Sequence, residues 1–160
     1  MALGDNTLRS AAGNSQRGRN PYMVQTTLNW ATALSDKGSA LAAADVVPVI
    51  AVAKGTMILN AGIEVDTATD GSTFTVDLGT GVDPDVFVDG FDATSAAAVV
   101  AQNPAAYQPV MAVADDNIDV TIASLSGGAV TSGKFRVWAV MMDCTDMGDM
   151  AANEVARDNA

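Results

Sequence analysis

From Tyr22 the chain alternates: Tyr22, Val24, Thr26, Leu28 and Trp30 fall on one face at period two, and Met23, Gln25, Thr27 and Asn29 on the other. Period two is the spacing of a strand with one buried face. The run "SDKGS" at 35–39 supplies a turn, and "ADVVPVIAVA" at 44–53 predicts a strand that is apolar on both sides. Pro48 has no N–H to give to a ladder, which places that strand at an edge or beside a bulge. In "MILNAGIEVDTA" the inward set is Met57, Leu59, Ile63 and Val65, with Gly62 as a bend or bulge that resets the phase. "TDGS" then makes a tight turn, because Asp70 and Gly71 form a dipeptide favoured by hairpin geometry. Phe74, Val76 and Leu78 alternate with Thr73, Thr75 and Asp77, so the strands flanking this turn are expected to pair as a hairpin.

The second half starts less regularly. "TGVDPDVFVDGFD" is a loop with a short strand around 86–88. "ATSAAAVVAQNPAAY" stands open between a helical turn and a long connection, since its alanines favour helix while Asn103 and Pro104 end one quickly. Alternation returns in "DNIDVTIASL", with Ile118, Val120 and Ile122 inward, and again in "KFRVWAVMMDC". In that last strand Phe135, Val137, Ala139 and Met141 share one face, and Arg136, Trp138, Val140 and Met142 the other. Both faces are largely apolar, so the strand is either central between two layers or covered by another subunit. Seven or eight strands, short turns and no long helical period predict an all-β fold, an antiparallel β-sandwich of jelly-roll type. That domain occupies residues 21–146, between a flexible basic N-terminal arm at 1–20 and a C-terminal tail at 147–160.

Composition changes this picture in two ways. Hydrophobic residues make up 49% of the 160 and charged residues only 17%, so either the surface is unusually neutral or a partner covers part of it. The formal charge of -11 is also polarised: Arg9, Arg17 and Arg19 lie in the first 20 residues, while the body is acidic. An acidic body disfavours nucleic acid and anionic membranes as partners, and no run approaches the roughly 18 to 20 apolar residues of a membrane-spanning helix. The start "MALGDNTLRS" lacks a basic segment followed by an apolar core, so the expected place is the cytosol or something assembled there. Three arginines are too few for strong binding to DNA on their own, and docking on a protein is the more economical use of the arm. A frayed terminus and an arm that orders on a partner both remain open readings.

Chemistry finds little to work with. The chain has no histidine, which removes the usual general base and zinc ligand, and its one cysteine, Cys144, reads as a small residue in an apolar strand setting. Without a base beside a serine or cysteine, nucleophilic catalysis is set aside. Two of the 17 aspartates would satisfy glycoside hydrolysis, yet aromatic residues are only 5%, too few to line a sugar cleft. Asp83, Asp85, Asp89 and Asp92 offer oxygens to calcium, but their spacing does not follow a calcium-binding loop, and a solvated acidic loop is the simpler reading. "LGTG" does not follow phosphate-loop spacing. No catalytic residue, cofactor or metal is expected.

Laid out in this way, "ADVVPVIAVAKGTMILNAGIEVDTA", the "DLG" and "DPD" loop, "DNIDVTIAS" and "GKFRVWAVMMD" resemble the capsid decoration or cement proteins of tailed bacteriophages, including cyanophage-type viruses. The resemblance spans roughly residues 44–143 and leaves the arm and the tail uncovered. It implies a non-enzymatic virion protein, a homotrimer on the outer surface of an icosahedral shell, bridging neighbouring copies of the major capsid protein. On that footing Arg9, Arg17 and Arg19 become a capsid-binding arm, and Tyr22, Trp30 and Trp138 lie at subunit interfaces unless they are ordinary core aromatics. The rivals are another virion β-module, a head fibre or tail component, and a carbohydrate-binding or hydrolytic sandwich.

Overall fold

The computed structural model describes residues 9–10, 20–101 and 109–144. These form β1 (Arg9–Ser10), β2 (Tyr22–Asn29), α1 (Trp30–Lys37), β3 (Val46–Val52), β4 (Thr56–Thr67) and β5 (Thr73–Thr80). They continue through β6 (Val88–Asp92), β7 (Val99–Ala101), β8 (Val110–Met111), β9 (Asp116–Ser126) and β10 (Lys134–Asp143). The first sheet has the order β1-β3-β9-β5-β6, and the second β2-β10-β4-β7, with β8 also on β4. Five antiparallel pairings nest inside one another: β2 with β10, β3 with β9, β4 with both β7 and β8, and β5 with β6. This is one long hairpin, its tip between β5 and β6, rolled up so that β10 also meets β4 and β9 also meets β5. That winding is the jelly roll, and the all-β sandwich read from the pattern is the fold.

The inward faces build one core. Val76, Leu78, Ile118, Val120 and Ile122 of the first sheet and Ile63, Val65, Phe135, Val137 and Met141 of the second are all fully buried. At one end of the sandwich three rings interlock. Trp30 meets Phe74 at 4.9 Å and Phe135 at 5.4 Å between ring centroids, both edge to face, and each such pair contributes about 0.5–1.5 kcal/mol beyond its area. Pro48 sits beside a bulge, where the register of β3 on β9 shifts between Pro48 and Ile50. The last strand is central within its sheet, with β2 on one side and β4 on the other, but only one of its faces meets the core; no second layer of the described residues covers the face of Trp138, Val140 and Met142.

Three expectations are corrected. Trp30 does not end a strand; it opens α1, because Asn29 turns the chain and accepts a hydrogen bond from the Ala31 N–H at 3.0 Å. Gly38 closes that helix by donating to the Leu34 and Ser35 carbonyls. The strands around "TDGS" do not pair: β4 belongs to the second sheet and β5 to the first, so the turn is a crossover between sheets. The Asp70 carboxylate is drawn away to the loop before β10, accepting from the Thr131 hydroxyl, the Thr131 N–H at 2.8 Å and the Ser132 N–H at 3.1 Å. The phase of β4 resets at Leu59, which lies between the pairs Val140–Asn60 and Met141–Ile58, and not at Gly62. Ile58 therefore points inward, fully buried, while Met57 turns outward and Leu59 is half-buried. The segment left open as helix or connection supplies β7 on β4 at its middle, and 102–108 lie outside the described residues.

Candidate functional site

Among the described residues, Tyr22, Trp30 and Trp138 do not converge on one patch. Trp30 is fully buried in the aromatic cluster and presents no side chain to a partner. Tyr22 opens β2 on the inward side, half-buried, opposite Met141 and packed against the core. Trp138 alone faces outward, half-buried on β10 between Gln25 of β2 and Gly62 of β4. A side chain at position 62 would lie 2.6 Å from the Trp138 ring, so glycine is what lets the indole lie flat on the sheet. Arg9 belongs to β1, whose backbone runs parallel to β3 opposite Ile50 and Ala51. Arg17, Arg19 and the tail at 147–160 lie outside the described residues.

What the fold does produce is two unlike outer faces. On the first sheet the outward positions of β5 and β9 are largely polar, while β3 turns Val46, Pro48 and Ala51 outward. Thr75 and Ser124 share a hydrogen bond of 2.8 Å, and Asp77 accepts from the Gly90 N–H at 2.7 Å. Burial holds the Asp77 carboxyl above the ordinary carboxylate range, with Asp89 and Asp85 nearby adding to the shift. Asp119 of β9 lies in register between Pro48 and Gly79 and is pushed up to about 6, chiefly by burial and then by the charge of Asp116.

The outward face of the second sheet is apolar at one end, around Met142, Met57 and Val140, and polar at the other, around Thr27, Arg136, Glu64 and Lys134. Met142, Met57 and Met111 follow one another across β10, β4 and β8, and Met23 and Val140 form the next row beside Trp138. Met23 is 62% exposed, and Val99 of β7 extends the patch at 62%. Toward the polar end Arg136 Nη1 pairs with Glu64 Oε2 at 2.9 Å, and Lys134 of the same strand stands exposed. Four methionines and a tryptophan on one face provide a soft contact surface that adapts to a partner's shape.

A groove opens at the end of the sandwich away from the aromatic cluster, roughly 20 Å along β5 at strand spacing. It encloses about 490 Å³ and is floored by Val52, Ile58, Val86, Val110 and Ala112. Val82 and Val113, 85% and 75% exposed, stand on its rim with Met111, so the groove runs into the methionine face. Thr80 and Asn117 add polar groups, the charged lining is Asp83, Asp115 and Asp116, and no lysine or arginine is part of it. Asp115 Oδ1 is fixed by the Lys54 N–H at 2.9 Å and Asp116 Oδ1 by the Asn117 N–H at 2.8 Å. Asp85 beside it pushes the Asp83 carboxyl up, the response of two carboxylates crowded without a cation. The "DPD" loop reaches this position because β5 carries Gly79, over which the Asp83 and Pro84 carbonyls fold. The sequence held no periodic signal for the groove, since its walls come from loops far apart in the chain.

Among the described residues no three acids or cysteines are grouped so as to hold a metal, so Asp83, Asp85, Asp89 and Asp92 do not converge on a common point. No helix among them is long and apolar enough to cross a membrane. No model of a known protein family matches the chain, and no curated protein matches it. Solved structures do. A chain of the "Cyanophage Pam1 capsid asymmetric unit" is similar at a TM-score of 0.58 and 16% identity, over 83% of this chain and 91% of that one. A chain of the "Capsid of Ralstonia phage GP4" is similar at 0.53 and 17% identity, over 79% of this chain and 84% of that one. At these identities the likeness is one of fold: this chain shares its rolled sandwich with chains found in two phage capsids.

Proposed function

We propose that this chain is a virion structural protein that coats the outside of an icosahedral phage capsid as a decoration or cement protein. The observation that carries the proposal is a methionine-rich apolar patch on one sheet of a strongly acidic chain. Acidic copies repel one another over most of their surface, so association is favoured where the methionine face removes apolar area from water. In this reading the face around Trp138 joins three copies, and the trimer holds neighbouring major capsid subunits against the pressure of packaged DNA. Three equivalent attachments convert modest single contacts into durable binding. The fold shared with chains from two phage capsids supports the assignment, and nothing in it calls for a catalytic step.

The arm supplies the anchor in this proposal, with Arg9, Arg17 and Arg19 as its cationic contacts. Removing residues 1–20 is expected to leave a folded oligomer that no longer coats capsids stripped of this protein, measured by co-sedimentation. Undiminished coating would remove the anchor role. A reconstruction of the source particle by electron cryomicroscopy tests the whole reading: density for this chain over the shell supports it, and density confined to a tail or a single vertex overturns it.

A further inference from the structure

We propose that the groove between β5, β8 and β9 receives an extended segment of the capsid shell that carries apolar side chains flanked by lysine or arginine. The identity of the donor rests on the capsid reading above; the chemistry of the groove does not. Its floor is largely apolar, and two valines stand almost bare on its rim, so side chains entering it are drawn from water. Its charged lining is of one sign: Asp83, Asp115 and Asp116 face the opening with no lysine or arginine among the lining residues. Backbone N–H groups hold the Asp115 and Asp116 carboxylates in place before any ligand arrives, which lowers the ordering needed on binding. An acidic or neutral segment would bury these carboxylates without compensation, whereas a cationic one converts them into charge-assisted hydrogen bonds. The groove joins the methionine face at Met111, so a segment lying in it continues onto the surface assigned to association.

The test uses the full chain and two labelled probes, Lys-Val-Val-Lys and Glu-Val-Val-Glu peptides, titrated by fluorescence anisotropy. Only the cationic probe is expected to bind, and more weakly as salt rises. The triple variant Asp83→Asn, Asp115→Asn, Asp116→Asn keeps the oxygen acceptors and should weaken binding by roughly ten-fold. The rim variant Val82→Ser, Val113→Ser tests the apolar half independently at two exposed positions and should also weaken it, while Asp77→Asn on the first sheet should change nothing. Equal binding of both probes, or a triple variant indistinguishable from the parent, overturns the groove. Coating of stripped capsids is the second arm. A parent that coats beside a triple variant that does not supports the shell as donor, and a triple variant that loses the peptide yet coats normally overturns the shell as donor. If the parent itself does not coat, the capsid reading fails and the peptide titration alone decides the groove.

Discussion

Gly79 shows how much of the site hangs on one missing side chain. An added Cβ there would come within 2.2 Å of the Asp83 carbonyl oxygen and of Pro84, both backbone atoms that cannot swing aside. Gly79→Ala is therefore expected to lose roughly 2–3 kcal/mol in thermal unfolding and to displace the Asp83 side of the groove. Asp119 acts in the opposite sense. Its carboxyl titrates at about 6 against an ordinary 3.8, so between those values the folded chain keeps a proton that the unfolded chain has lost. Stability should fall as pH rises through that window and stay lowered above it. Asp119→Asn should flatten this slope and raise stability at pH 7 by roughly 1 kcal/mol, discounted for its partial contact with solvent. Melting curves at half-unit intervals from pH 3.5 to 7.5 would show it.

Between elements, the crossover at Asp70 is the instructive case. "TDGS" has the residues of a tight hairpin turn, and locally nothing distinguishes it from one. The carboxylate nevertheless reaches Thr131 and Ser132, about sixty residues on, and ties the β4–β5 corner to the start of β10. The Thr131 hydroxyl first, and then the Thr131 N–H, hold Asp70 down to about 2. Its contribution is present above the ordinary carboxylate range and is lost as pH falls through the interval from about 4 to 2. Acid titration of unfolding should show that loss in the parent and not in Asp70→Ala. Similarly, α1 had its signals in the chain, an asparagine before "WATAL" and a glycine eight residues after Trp30, but a period-two reading carried the strand one residue too far. Trp30 satisfied both readings, because an inward position at the end of β2 and the first position of α1 point to the same core.

For the molecule as a whole, the two outer faces are the consequential feature. Met23 lies at the apolar end of one of them with its side chain largely in solvent, so Met23→Asp should leave the melting temperature within a few degrees of the parent. If copies associate through this face, the same change should convert oligomer to monomer in light scattering, since it places an unpaired charge in an apolar contact. A variant that remains fully oligomeric would move the association surface elsewhere. The groove and the methionine face meet only because β8 returns to pair with β4 after the excursion through β6 and β7.

The alternation of Phe74, Val76 and Leu78, of Ile118, Val120 and Ile122, and of Phe135 through Met141 determined the strands, their inward faces and the sandwich class. Period two follows from backbone geometry alone, and each strand carries it within its own few residues. Which strands meet was settled only in three dimensions, since pairing between β2 and β10 joins residues over a hundred apart and depends on every element between them. The groove belongs to that second kind of information. Val82 and Val113 are unremarkable in the chain, and they become opposite rims of one opening because the rolled hairpin brings the ends of β5 and β9 together.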